Sequence, residues 1–234
     1  MADSRTFVAG SSTTTAERVS AFLTKVYGWM FIGLGITAAV AYVVASSPAL
    51  TTALMQNRLI FFALVLVELG LVFFLSARVH SLQPGTAAGL FVGYAALNGV
   101  TLSLILLIYT GASIAMTFVV TGAMFGALAV YGTTTSRSLA GVGQFFFMGL
   151  IGLVLASIVG MFWHSDALQF LITIVGVIVF TGLTAWDAQR LKQMALTLPD
   201  GQVGAYAVVG ALSLYLDFIN LFLMLLRFTG SRRD

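Results

Sequence analysis

Seven apolar stretches, each long enough to cross a bilayer as a helix, account for most of this chain. A helix rises about 1.5 Å per residue, so about 20 apolar residues cover roughly 30 Å of hydrocarbon. The stretches run over residues 26–45, 59–76, 86–108, 113–131, 142–163, 168–186 and 205–228. Turn or polar chemistry marks the breaks between them: Ser46-Ser47-Pro48, Gln83-Pro84-Gly85, Gly132-Thr133-Thr134, His164-Ser165-Asp166 and Pro199-Asp200-Gly201. Period-two alternation is absent, and open strands cannot satisfy their backbone groups in lipid, so the spans are read as helices. Only 8% of the 234 residues are charged, against about 25% in a soluble domain. The expected fold is all-α, a polytopic membrane protein built as a seven-helix bundle over residues 17–230.

Residues 1–16 read as a disordered polar tail, with the run Ser11-Ser12-Thr13-Thr14-Thr15 and no secretory-signal pattern. Val19, Phe22, Leu23 and Val26 recur at helical spacing, so the first helix is expected to begin near Glu17. Residues 231–234 form a short basic tail. The net charge of +3 comes from basic residues scattered at span ends, the pattern of a topology signal and not of nucleic-acid binding. With seven crossings and a cytoplasmic N-terminus, one side holds Arg5, Arg18, Lys25, Arg78, Arg137, Arg190 and Lys192. The other holds Arg58, Arg227, Arg232 and Arg233. That bias favours a cytoplasmic N-terminus in a multi-pass protein of the cell (inner) membrane; a re-entrant last segment is the alternative, disfavoured by its 24 residues without a turn signal after Gly210. Gly89–Gly93 and Gly122–Gly126 are GxxxG pairs, expected to pack helices within the bundle, with a dimer interface as the alternative. Trp29, Trp163 and Trp186 lie near span ends and read as belt anchors.

The ionisable residues within or at the edges of spans are few: Glu68, Arg78, Asp187 and Asp217. A charge at bilayer depth costs roughly 2.5–3.5 kcal/mol on insertion scales, so such a residue marks a functional site by default. Asp217 has apolar helix on both sides, and Ser213 and Asn220 share its face. Asp187 ends its stretch and is followed by Gln189, Arg190, Lys192 and Gln193, so an interfacial role stays open for it. Glu68 is either a hydrogen-bonded packing residue or part of a pathway. Arg78, ten residues on, is expected on a similar face, as a snorkelling topology charge or as something more. The absence of cysteine excludes thiolate chemistry, and His80 and His164 sit at different breaks, so no zinc motif or Ser-His pair is supported.

The segments Leu23-Thr24-Lys25-Val26-Tyr27-Gly28-Trp29-Met30, Thr184-Ala185-Trp186-Asp187-Ala188-Gln189 and Gly210-Ala211-Leu212-Ser213-Leu214-Tyr215-Leu216-Asp217-Phe218-Ile219-Asn220-Leu221-Phe222 resemble the transmembrane Bax-inhibitor-motif family, and its bacterial branch more than its eukaryotic one. The resemblance runs from about residue 17 to residue 230. It implies a seven-helix bundle with the last helix central, acting as a pH-sensitive calcium leak. It further implies that Asp187 and Asp217 form a hydrogen-bonded pair that senses protons and that Arg78 helps latch the pore. Trp186 stands where the family commonly has tyrosine. Helix counting sets Asp187 roughly 10 Å nearer the cytoplasm than Asp217, so their pairing rests on the resemblance or on a sixth helix running on to about Met194.

Three functions compete. A proton-gated cation leak would use Asp187 and Asp217, with Glu68, Asn220 and Ser213 in support, as oxygen ligands for calcium in transit. No cofactor is expected, and the partners are the lipid bilayer, calcium and protons. A non-transporting regulator would bind a membrane-anchored protease or another membrane complex through residues 1–24. An intramembrane aspartyl protease needs glycines before its second aspartate, and Leu214-Tyr215-Leu216 stand there instead, so no enzymatic activity is expected.

Overall fold

The computed structural model of the chain describes residues 4–163 and 165–233, with side chains from Thr15 onward except that of Asp200. His164, and most of the tail expected over residues 1–16, lie outside the described side chains. Among the described residues eight α-helices follow one another: α1 Ser4–Ala45, α2 Pro48–Gln56, α3 Arg58–Arg78, α4 Pro84–Ile108, α5 Gly111–Thr134, α6 Ala140–Phe162, α7 Asp166–Thr197 and α8 Val203–Thr229. All but the short α2 are long and apolar enough to cross a membrane, with Thr15–Ala45 the crossing part of α1.

The chain chemistry at the breaks explains where helices start. Asn57 accepts from the backbone N–H groups of Leu59 and Ile60 at the head of α3, and Thr110 and Ser165 do the same for α5 and α7. Pro48 and Pro84 open α2 and α4, where a missing N–H costs nothing. Two departures from the sequence reading matter. Residues 48–56 are a helix and not simple turn chemistry, and α7 continues to Thr197 where the apolar stretch stops at Trp186. Amphipathic residues extend α7 because its end is packed by protein: Leu191, Ala195 and Leu198 are buried.

Helix α8 is the centre of the bundle. Of its most apolar 18-residue window 67% is buried, against 11–39% in the other crossings. It packs against α1, α4, α5 and α7 and touches α3 more lightly. It is one continuous helix, and the chain beyond it pairs with the α4–α5 connection. Tyr109 and Arg232 form a backbone bridge, Thr110 N–H donates to Ser231 O at 3.0 Å, and Arg233 N–H donates to Ile108 O at 2.8 Å. The last segment is therefore no re-entrant hairpin and is long and apolar enough to cross fully. The near end of the bundle is hereafter the one where α7 finishes and α8 begins, and the far end the one where α8 finishes.

Close helix contacts rest on glycines other than the GxxxG pairs. A Cβ on Gly132 would lie 2.1 Å from the Ala185 carbonyl oxygen, and one on Gly99 would lie 2.7 Å from that of Thr37. These are backbone-to-backbone approaches, α5 on α7 and α4 on α1. By contrast, nothing lies within 4 Å of a Cβ on Gly89, Gly93, Gly122 or Gly126. Packing within the bundle is thus not their role, since they face outward. Trp186 is also no belt anchor, because α7 runs well past it and its ring covers Gly143 of α6.

Candidate ion pathway

Asp217 sits in the middle of α8 at 5% exposure, and its Oδ2 atom has no hydrogen-bond partner. A buried polar atom is nearly always satisfied, so an orphaned carboxylate oxygen singles out this position. The lengthened α7 brings Asp187 to a comparable depth. Counted from the near end, Asp187 stands about 15 Å along α7 and Asp217 about 21 Å along α8. Asp187 is the charged group that acts on Asp217, but no hydrogen bond joins the two carboxylates among the described residues. The helix ends thus reduce the depth mismatch inferred from the apolar stretches from roughly 10 Å to about 6 Å.

Asp187 also reaches a cavity of about 180 Å³ that it shares with Ser76, Arg190, Tyr206, Gly210 and Ser213. That volume and polar lining suit several waters. Arg190 stands 3.9 Å from Asp187 and lies over the Trp186 ring, 5.6 Å from its centroid. Both contacts are within α7, so they hold Arg190 in place without tying two helices together. Tyr206, on the wall, also hydrogen-bonds His80 of the α3–α4 connection through Nδ1. Gln189, two residues from Asp187, accepts from Leu139 N–H at 2.7 Å and donates to Arg137 O at 2.9 Å, fixing the start of α6 against α7.

Arg78 is not brought to either aspartate. It is exposed at the end of α3 and makes no ion pair among the described residues, although Ser76 of the same helix lines the Asp187 cavity. Nor does it share a face with Glu68: ten residues are about 2.8 turns, which leaves the two rotated by about 80°. Asn220 donates to Leu216 O within its own helix at 2.8 Å, while Ser213 does face the cavity. Among the described residues no group of three or more His, Asp or Glu gathers. Two carboxylates are well short of the six to eight oxygens that hold calcium tightly.

Glu68 belongs to a second polar centre on the opposite side of α8. Asn98 and Thr101 of α4 donate to its two oxygens at 3.3 and 3.0 Å. Tyr215 Oη donates to Asn98 Oδ1 at 2.9 Å and lies 2.6 Å from Thr37 Oγ1, which donates to Ala95 O at 2.8 Å. Four helices meet in this chain of bonds. Tyr215 is fully buried between the rings of Phe91 and Tyr94. Two residues on a helix differ by about 200°, so Tyr215 and Asp217 point to opposite sides of α8. The sequence reading missed Thr37, Asn98, Thr101 and Tyr215; polar residues in the middle of apolar spans were the available signal. Tyr215→Phe should cost about 0.6–1.7 kcal/mol, the range for a hydrogen bond inside a membrane protein. Unfolding in detergent measures this, and an unchanged melting curve would remove the network from the stability of the bundle.

A far-end cavity of about 570 Å³ reaches Asn98 and Thr101, with Arg227 and Arg232 at its mouth. The near and far cavities share no lining residue, and the fully buried Leu214 and Tyr215 lie between their levels on α8. The arrangement is two recesses toward opposite ends of the bundle, closed from each other by the central helix.

Comparison with known proteins adds an independent line. Residues 19–234 match the family model described as inhibitor of apoptosis-promoting Bax1. The inner membrane protein YbhL of Escherichia coli K12 is 51% identical over 215 residues, covering 91% of this chain and 92% of that protein. The uncharacterized protein RP147 of Rickettsia prowazekii is 42% identical, covering 93% and 92%, and YrjE of Lactococcus lactis is 39% identical, covering 92% of each.

Proposed function

The chain belongs to the Bax inhibitor-like family, and from that premise we propose that it is a pH-sensitive cation leak with calcium as the transported ion. The observation that carries the reading is the buried, unpartnered oxygen of Asp217 within Coulombic range of Asp187, which borders a polar cavity. Two carboxylates sharing one site titrate as a unit. As pH falls they take up a proton, and the attraction of the pair for nearby cations weakens. A change of that kind beside the central helix shifts its packing against α7. The small oxygen-ligand count suits an ion in passage. Likeness to the inner membrane protein YbhL supports the inner membrane as its location, and the basic-residue bias favours a cytoplasmic near end.

Calcium uptake into proteoliposomes that hold only the purified protein tests the proposal. Uptake above that of empty vesicles, rising with acidity, is the expected result. No uptake, with retained binding to a membrane-anchored protease, would establish the regulator reading instead.

A latch through Arg78 requires α3 to shift, since the cation beside Asp187 is Arg190 of the same helix. Helix α3 is suited to this, with only 11% of its apolar window buried. Arg78→Ala should raise the leak at neutral pH several-fold, an effect of about 1 kcal/mol, and Arg78→Lys should retain part of the closure. Arg190→Ala should change it less. Equal leak in the wild type and all three variants would reduce Arg78 to a topology charge.

A further inference from the structure

We propose that the far end of the bundle holds a specific site for an anionic phospholipid, with its phosphate on Arg227 and Arg232 and an acyl chain in the cleft between α3 and α6. The site does not depend on ion transport. Its first element is a pair of like charges brought together. Arg227 is in the last turn of α8, and Arg232 is carried back to the same cavity mouth by the backbone pairing of Tyr109 with the chain after α8. Neither makes an ion pair among the described residues. Two unpaired guanidinium groups at one opening call for an anion, and phosphate oxygens fit the guanidinium fork.

The second element is apolar and opens into the bilayer. The cavity under the arginines adjoins a larger cleft of about 830 Å³, with Phe61 and Leu104 lining both. That cleft runs between α3 and α6, the two least buried crossings at 11% each. Phe62, Ile158 and Met161 line it, and Arg58 stands at its edge. A basic mouth at the membrane surface, continuous with an apolar recess below, matches a molecule with an anionic head and a hydrocarbon tail. A soluble anion would leave the cleft unfilled, and a zwitterionic lipid would set its own cation against the arginines.

Native mass spectrometry of the full chain, delipidated in detergent and titrated with phosphatidylglycerol, phosphatidylcholine of the same acyl chains, or glycerol phosphate, tests the site. One phosphatidylglycerol per chain should bind roughly 30-fold more tightly than phosphatidylcholine, taking the usual worth of a basic residue near a lipid surface for each arginine. R227Q/R232Q should lose that preference, and R233Q, outside the cavity lining, should keep it. Leu104→Trp should displace the lipid with the arginines intact. Equal binding of the two lipids, or an unchanged preference in R227Q/R232Q, would overturn the proposal. Glycerol phosphate binding as tightly as the lipid would also overturn it, by showing a free-anion site.

Discussion

Asp217→Asn is expected to flatten the pH dependence of calcium flux. The amide keeps the shape of the carboxylate and cannot ionise, so the central helix loses its response to protons. A gate moved by about 1.4 kcal/mol changes flux on the order of tenfold, and the variant should show less than about twofold. Asp187→Asn should act in the same direction. The double variant should add little, because neighbours that titrate as a unit give non-additive effects. Fully additive effects in proteoliposomes would make the two carboxylates independent and remove the pair from the mechanism.

Gly132→Val should prevent normal assembly of the bundle. Its Cβ would meet the Ala185 carbonyl at 2.1 Å, and backbone on both sides leaves no flexible group to yield. Separating α5 from α7 should cost about 3 kcal/mol, the upper part of the usual range for overpacking. Because Ala185 lies two residues before Asp187, the damage would spread to the site. Gly126→Val, on the same helix with nothing within 4 Å, is the control. The measurement is monodispersity and thermal unfolding in detergent: Gly132→Val should aggregate or melt far lower, and Gly126→Val should resemble the wild type. Equal behaviour would mean that α5 and α7 do not rely on that contact.

The number and class of the crossings were legible because hydrophobic length is a property of each segment alone. Asp217 was legible for the same reason, since a carboxylate deep in an apolar run stands out without any partner. What could not be read locally were relations between helices. The GxxxG pairs look like packing surfaces, yet their faces turn outward, while Gly132 and Gly99 make close contacts without such a motif. The end of α7 was set too early because an amphipathic segment can continue a helix when protein covers it, as at Leu191 and Ala195. That single boundary brings Asp187 several ångströms nearer the depth of Asp217. The network of Thr37, Asn98, Tyr215 and Glu68 joins positions up to 178 residues apart, a relation that only the assembled bundle reveals.

Infrared difference spectroscopy on the full chain in lipid, with carbon-13-labelled aspartate, tests the shared titration of Asp187 and Asp217 most directly. Exposed aspartates titrate near about pH 3.9, so a scan over roughly pH 5 to 8 isolates a coupled pair. The account predicts a labelled carboxylic-acid band that vanishes as pH rises and is lost in both Asp187→Asn and Asp217→Asn, because the two side chains hold one proton between them. A band absent from the wild type, or one that Asp187→Asn leaves unchanged, would contradict it.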